Sequence, residues 1–268
     1  MLVTERKGAQ KLSTIVIKCG GSVLNQLSSS FFESIQEMKN RGISVVLVHG
    51  GGPDINEMLE KLNITPEFVN GLRKTTKDTL QIAEMVLTGK TNRKLVEQLN
   101  GFGLAALGLN GSDSNLIQAE YLNEERLGYV GEVQSINKPL IQLILEAGHI
   151  PVITPIAINQ QKVKLNVNAD YAAAAVAIGL EAEQCLFVTD VDGILVNNQV
   201  MKELNKQKVN ELIATGTIYG GMIPKVESAL TAIDMGLKSV MIVNGKKRFF
   251  ENGQWLGTQI CRKEGILQ

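Results

Sequence analysis

The 268-residue chain is poor in aromatic side chains, in cysteine and in net charge. Phe, Trp and Tyr make up 4 % of it, so any core must be packed mainly with Ile, Leu, Val and Ala from a 44 % hydrophobic fraction. Lys plus Arg is 27 and Asp plus Glu is 27, which leaves a formal charge of zero. That balance gives no electrostatic case for nucleic acid or an anionic membrane as partner, though a local positive site for a small anion stays compatible with it. The three cysteines, Cys19, Cys185 and Cys261, lie far apart and form no metal or redox pair. Their low density fits a reducing compartment. The two histidines, His49 and His149, have no zinc-site spacing. No apolar run reaches the length of a membrane helix, and residues 172–180 read as a buried helix. The opening residues 2–8 lack the apolar stretch of a secretory signal. A soluble, cytoplasmic protein is expected.

What is present is an alternation of two periodicities. Residues 12–17 and 43–48 are apolar, β-branched runs that predict buried strands. Residues 29–40 place Phe32, Ile35 and Met38 on one helical face, and a helix begun near Pro53 carries Ile55, Met58, Leu59 and Leu62. Residues 68–75 read as an excursion off the sheet, and 77–100 as a long helical region with a break at Gly89. Further strands are predicted over 104–109, 129–136, 150–153, 185–189, 194–196 and 239–243. Helices are predicted over 139–147, 169–178, 205–214 and 223–235, and a hairpin around Asn252-Gly253. Such alternation argues for a mostly parallel sheet covered on both faces. The length suits one large domain or two closely packed lobes, with a division near residues 156–169.

Two predicted strands end in glycine turns, Lys18-Cys19-Gly20-Gly21 and His49-Gly50-Gly51-Gly52. In open α/β sheets ligands bind outside the carboxyl ends of strands, and glycines there let backbone amides approach an anion. Either turn alone could be a tight turn without a ligand. Two in consecutive units, one carrying a lysine, favour phosphate binding. Neither is a Walker A loop or a dinucleotide fingerprint. Gly89-Lys90-Thr91 sits in a helical context and reads as a helix break or a contact covering the sheet.

Four other segments are candidates. Arg73, in Asn70-Gly71-Leu72-Arg73, could pair bidentately with a carboxylate or simply be solvated. Asn166, Asn168 and Asp170 alternate; they could point into one site or cap a helix. Thr189-Asp190-Val191-Asp192-Gly193 could meet a nucleotide or metal, or be an ordinary Asp-Gly turn. Gly221-Met222-Ile223-Pro224-Lys225 puts a lysine in the first turn of a helix, where the dipole disfavours it and a bound phosphate would compensate. His49 could orient its glycine turn, and nothing resembles a Ser-His-Asp system.

Together these segments resemble the acetylglutamate kinases of the amino-acid kinase family, across nearly the whole chain. The glycine-lysine patterns alone mark the wider family; Arg73 in its setting and the Asn166–Asp170 run point to the narrower one. The resemblance implies a three-layer α/β/α sandwich with a largely parallel central sheet. It implies an N-terminal lobe (residues 1–165) for the acyl amino acid and a C-terminal lobe (166–268) for ATP. The implied reaction is phosphorylation of the side-chain carboxylate of N-acetyl-L-glutamate, in arginine biosynthesis. By the resemblance Lys18 and Lys225 neutralise the transferring phosphoryl group and Asp170 holds the two lysines. Gly51 and Gly52 donate amides to the reacting end of the substrate, and Gly20 and Gly21 receive phosphoryl oxygens. Arg73, Asn166 and Asn168 bind the substrate. Thr189, Asp190, Gly193, Gly221 and Met222 line the nucleotide site. Mg²⁺ rides on the ATP phosphates with no protein ligand assigned. A homodimer is implied, and the short segment ahead of the first strand suggests one insensitive to arginine. Other readings are a kinase of the same family acting on another small carboxylate or on a carrier-linked amino acid, or a ligand-binding protein that kept the fold.

Overall fold

The β-branched runs build one eight-stranded sheet. A computed structural model describes residues 13–262. Its central strands are β1 (Thr14–Cys19), β2 (Ser44–His49), β3 (Ala106–Asn110), β4 (Ile150–Thr154), β5 (Gln184–Thr189), β6 (Glu203–Asn205), β7 (Ser239–Asn244) and β8 (Thr258–Cys261). Across the sheet they run β6-β8-β7-β5-β1-β2-β4-β3. Six are mutually parallel, and β8 turns back antiparallel to β7 with β6 beside it.

Side chains of the central strands alternate between two cores, as the period of a strand requires. Val16, Val46 and Val48 join one apolar cluster, while Ile15, Ile17, Val45 and Leu47 join the other. The helices are α1 (Ser29–Asn40), α2 (Gly52–Lys61), α3 (Lys77–Glu84), α4 (Asn92–Gly101), α5 (Glu124–Leu127), α6 (Lys138–Glu146), α7 (Ala169–Leu180), α8 (Lys206–Ala214) and α9 (Ile223–Asp234), of which α2 and α3 form a third, smaller apolar cluster. The alanine-rich α7 lies over β1 and β2 in the first cluster with α9 beside it. The helix α1 brings Phe31, Phe32 and Ile35 into the second, where Phe31 meets Phe249 at 5.3 Å between ring centroids. The result is the expected three-layer α/β/α sandwich.

Most predicted elements are present within two residues of their expected bounds, and α1 matches its expected range. The first strand starts at Thr14 and runs through Lys18 and Cys19, because Lys18 pairs on both sides, with Val48 and Phe187. Leu12 and the segment ahead of it lie outside the described residues. Gly89 does not break the long helical region. Residues Met85–Thr91 widen into a π-helix between α3 and α4, and the backbone stays helical throughout. The strand expected at 129–136 begins at Gly131 and belongs to a second, four-stranded sheet with Ile117–Tyr121, Ile156–Ile158 and Lys164–Asn166. The hairpin at Asn252-Gly253 forms between Phe250–Glu251 and Gln254–Trp255, with both turn residues at positive φ (53° and 80°).

Phe31 is fully buried between α1 and the Phe249 segment. Replacing it by Ala removes most of an aromatic side chain from a packed interior, so Phe31→Ala lowers unfolding free energy by about 3–5 kcal/mol. Urea denaturation of the two proteins checks this.

Candidate active site

The glycine turns share one edge of the sheet. Because β1, β2 and β5 are parallel neighbours, their carboxyl ends emerge side by side. Strands β2, β4 and β3 extend to one side of β1, and β5 and β7 to the other. That reversal between β1 and β5 is a topological switch point, where open α/β sheets form a crevice for ligands.

The two glycine turns touch backbone to backbone. A Cβ on Gly21 would lie 2.9 Å from the Cα and N of Gly51 and from the N of Gly52. A Cβ on Gly51 would run into Leu87, which the π-helix presses onto the turn. Beside the turns lies a cleft of about 350 Å³. It brings together Lys18, Gly20, Gly21, Gly51, Gly52, Arg73, Asn166, Asn168 and Asp170. Thr189, Asp190, Gly193, Gly221, Met222 and Lys225 do not line it. They sit at the end of β5 and the start of α9, on the other side of β1.

Charges are paired within each region. Lys18 Nζ lies 2.8 Å from Asp170 Oδ1, and both side chains are largely shielded. Asp170 Oδ2 accepts from Ser228 Oγ of α9 at 3.2 Å. Asn168 caps α7, its Oδ1 accepting from the N–H of Asp170 (2.7 Å) and of Tyr171 (3.3 Å). Asn168 is therefore a helix cap, and Asn166, Asn168 and Asp170 all border the cleft. Lys225 has a separate partner, Asp190 Oδ1 at 2.6 Å. Thus Asp170 contacts one of the two lysines. The hydrogen bond from Lys225 holds the Asp190 carboxyl below the ordinary carboxylate range. It also offsets the unfavourable field on a lysine at a helix start.

The Thr189–Gly193 segment has its own turn chemistry. Thr189 Oγ1 lies 3.2 Å from the carbonyls of Val191 and Val243, and Asp192 accepts from Asn244 Nδ2 (2.6 Å) and Lys247 Nζ (2.7 Å). Gly193 sits at φ 141° with Thr258 against it, where a side chain has no room.

Arg73 lines the same cleft beside the second glycine turn, its Nη2 3.4 Å from the Gly52 carbonyl oxygen, and is anchored on one side only. Its Nη2 donates to Asn56 Oδ1 at 2.6 Å, and its guanidinium lies 4.8 Å from the centre of the Phe68 ring. Its Nη1 is buried without a hydrogen-bond partner. Burial lowers the Arg73 pKa, yet an arginine stays protonated in proteins. A half-buried, half-satisfied guanidinium is suited to a carboxylate supplied from outside the chain. Asn166 Nδ2 donates to Thr75 Oγ1 at 3.1 Å. Asn56, Phe68, Thr75 and Ser228 support the site and were not singled out from the sequence. None stands in a glycine-rich or alternating polar run, so no local pattern marked them.

Cys19 and Cys185 are buried thiols, Cys19 pushed up to about 12 by desolvation and Cys185 raised by the same cause. Neither is a nucleophile. Among the described residues no group of three or more His, Cys, Asp and Glu could hold a metal ion, and no helix is long and apolar enough to cross a membrane.

The sandwich and the paired glycine turns define a class, and comparison with known proteins agrees with it. The sequence model of the amino acid kinase family matches residues 13–244, and the chain belongs to that family. An acetylglutamate kinase of Geobacillus kaustophilus is 50 % identical over 94 % of this chain and 98 % of its own length. A crystal structure from Streptococcus mutans superposes with a TM-score of 0.80 at 35 % identity, covering 93 % of this chain and 99 % of the other. Carbamate kinase of Giardia shares the fold at a TM-score of 0.63 and 14 % identity, over 94 % and 99 % of the two chains.

His49 is fully buried, and burial lowers its pKa from 6.5 to about 4. Between those values the unfolded chain binds a proton that the folded chain refuses, so stability is complete above pH 6.5 and falls as pH drops toward 4. The loss attributable to this group is about 3 kcal/mol. Denaturant unfolding of the wild type and His49→Asn at pH 7 and pH 4.5 checks it: the variant lacks this part of the acid sensitivity.

Proposed function

We propose that this protein transfers the γ-phosphoryl group of ATP to the side-chain carboxylate of N-acetyl-L-glutamate. The products are ADP and N-acetyl-L-glutamyl 5-phosphate, in the second step of arginine biosynthesis through acetylated intermediates. The observation that carries the reading is the unpartnered Nη1 of Arg73, which lies beside Gly52 of the second glycine turn in the same cleft as the Lys18 ammonium. A dicarboxylate fits that pair of cations: one carboxylate docks on Arg73 and the other meets the phosphoryl group. The close relationship to acetylglutamate kinases supports the same acceptor.

In the transfer, a carboxylate oxygen forms a bond to the γ-phosphorus while the bond from phosphorus to the β–γ bridging oxygen breaks. The acceptor is already ionised near neutral pH, so no proton moves and no general base is required. Catalysis is then positioning and electrostatics. Lys18 neutralises the transferring group from β1, and Lys225 serves the β/γ region from α9. Asp170 orients Lys18 through their ion pair. Amides of Gly51 and Gly52 face the reacting end of the acceptor, and Gly20 and Gly21 leave room for phosphoryl oxygens. Asn166 and Asn168 border the acceptor. Thr189, Asp190, Gly193, Gly221 and Met222 form the nucleotide side. Mg²⁺ would be carried by the ATP phosphates rather than by a protein ligand and would screen their charge. In this reading residues 1–165 hold the acyl amino acid and 166–268 hold ATP. The protein acts as a cytoplasmic homodimer.

ADP release with N-acetyl-L-glutamate, compared with L-glutamate, aspartate, carbamate and UMP, tests the assignment, with hydroxylamine trapping the acyl phosphate. Turnover and trapped product with N-acetyl-L-glutamate alone is expected; preference for another acceptor reassigns the substrate. Lys18→Ala should keep the far-ultraviolet circular dichroism of the wild type and lose roughly 100- to 1000-fold in kcat. Arg73→Ala should raise the acceptor KM roughly 10- to 100-fold with a smaller change for ATP. Equal effects on both substrates would remove Arg73 from the acceptor site.

A further inference from the structure

His49, Asn92 and Thr154 are fully buried polar side chains immediately behind the second glycine turn. Transfer chemistry does not use them, yet each is kept dry. Their hydrogen bonds have one consistent polarity, which can be read from its outer end. Asn92 Nδ2 lies 2.8 Å from the carbonyl oxygen of Val152, which can only accept. Asn92 Oδ1 takes the guanidinium of Arg93, which can only donate. The Asn92 amide therefore has one orientation. Its second Nδ2 hydrogen points at His49 Nε2, 3.1 Å away. That nitrogen must accept, so the proton of the neutral ring is on Nδ1. Nδ1 lies 3.0 Å from the carbonyl oxygen of Gly50 and donates to it. Thr154 Oγ1, 3.2 Å from Nε2, can supply a second donor to the same lone pair. Burial keeps the ring neutral, in agreement with this arrangement.

The consequence falls on the glycine turn. A trans peptide is planar, with its C=O and N–H on opposite sides. Holding the Gly50 carbonyl against the imidazole turns the Gly51 N–H the other way, toward the cleft that Gly51 lines. With three successive glycines, that peptide has no side chain of its own to limit rotation. Gly108 shows that room is kept for the outer end of the chain: a Cβ there would overlap both Asn92 Oδ1 and the Arg93 guanidinium.

We infer that Asn92 and His49 are positioning residues for phosphoryl transfer: Asn92 fixes the Nδ1–H tautomer of His49, and His49 thereby aims the Gly51 amide at the reacting centre. The second half rests on the proposed role of that amide; the first half does not.

Two measurements separate these halves. Long-range proton–nitrogen correlation spectra of uniformly ¹⁵N-labelled full-length protein read which ring nitrogen carries the proton; the only other histidine, His149, is exposed. Nδ1–H is expected for His49 in the wild type. Asn92→Asp, which presents a carboxylate to Nε2, should move the proton to Nε2. An Nε2–H wild type overturns the inference without touching the kinase assignment.

Kinetics with N-acetyl-L-glutamate and ATP test the second half. An Asn side chain places its NH₂ near the position of imidazole Nδ1, and a Gln places its own near Nε2. His49→Asn should keep kcat within about threefold of wild type. His49→Gln and Asn92→Asp should lower kcat tenfold or more, approaching the effect of losing one oxyanion donor, about 100-fold. The KM for ATP should stay within about threefold in all three. Equal losses in His49→Asn and His49→Gln, or an effect confined to KM, overturn the positioning role. A wild type inactive on N-acetyl-L-glutamate refutes the proposed function instead, while the spectra still decide the tautomer.

Discussion

The site depends on a contact with no side chains in it. Gly21 and the Gly51-Gly52 pair approach until their backbones leave no space for a methyl group. Adjacent parallel strands place these turns together, and only glycine lets them close. The polar peptide groups of both loops then border the same small cleft at the carboxyl ends of β1 and β2. Lys18 gains its position from the same constraint, since it is the next-to-last residue of the strand that feeds the first turn. The π-helix completes the arrangement from outside. By widening the helix at Met85–Thr91 the chain brings Leu87 against Gly51 and Thr91 onto Asp54, whose Oδ2 it meets at 3.0 Å. π-turns inside helices are rare and concentrate near functional sites, and here the turn that carries Gly89-Lys90-Thr91 braces the loop rather than binding phosphate.

The sequence made the skeleton legible because its signals were local. Apolar β-branched runs of four to six residues marked β1, β2, β4, β5 and β7. The amphipathic stripe of α1 and the Asn-Gly turn near the carboxyl end were read the same way. What escaped was set by distant partners. Ile117–Tyr121 mixes Gln and Glu with apolar residues and becomes a strand through pairing with Gly131–Ile136. The strand β8 exists because β7 offers it an antiparallel edge. In the site, the glycine turns, Lys18, Arg73 and the Asn-x-Asn-x-Asp run stood out by composition. The partition of lysines between Asp170 and Asp190 did not, since sequence spacing says nothing about which carboxylate reaches which ammonium across α7 and α9. Nor could the unpartnered Arg73 Nη1 be seen, because an exposed and a buried arginine look alike in a sequence.

The ion pairs also bear on how a triphosphate is received. Lys18 and Lys225 are each held by one carboxylate, while Arg73 in the cleft is bonded to the neutral Asn56. A lysine buried alone would lose much of its hydration and tend to release its proton. The ion pair with Asp170 offsets the hydration that Lys18 loses in a site where its exposure is about one-sixth of the full value. An incoming phosphate competes for the ammonium protons, and because an ammonium has three donors it can add a phosphate oxygen while keeping its aspartate. Asp170 is further tied by Ser228 and the cap at Asn168, so it has little freedom to follow the lysine. Asp190 is half exposed, and water can take over its carboxylate when Lys225 turns to a new partner. The two lysines therefore differ in kind: Lys18 is fixed in place before substrate arrives, while Lys225 can exchange partners at low cost.

The difference fits the order of demands in an acyl-phosphate synthesis. The γ-phosphoryl group must meet the acceptor carboxylate although both are negative, and at 4 Å such repulsion is about 4 kcal/mol per pair of charges at an effective dielectric of 20. In the proposed transfer the cation that offsets it has to be in position throughout, which Lys18, held by Asp170 near the end of β1, would provide. In the proposed transfer the leaving side changes more: negative charge accumulates on the β-phosphate as the bond breaks, and Lys225, whose carboxylate partner is half exposed, could follow that change. Neither role asks for a group that titrates near neutrality. The one histidine behind the glycine turn is fully buried and neutral, spending its proton on a backbone carbonyl rather than on the reaction. The site is therefore built from fixed charges and fixed dipoles, as suits a transfer in which no proton has to move.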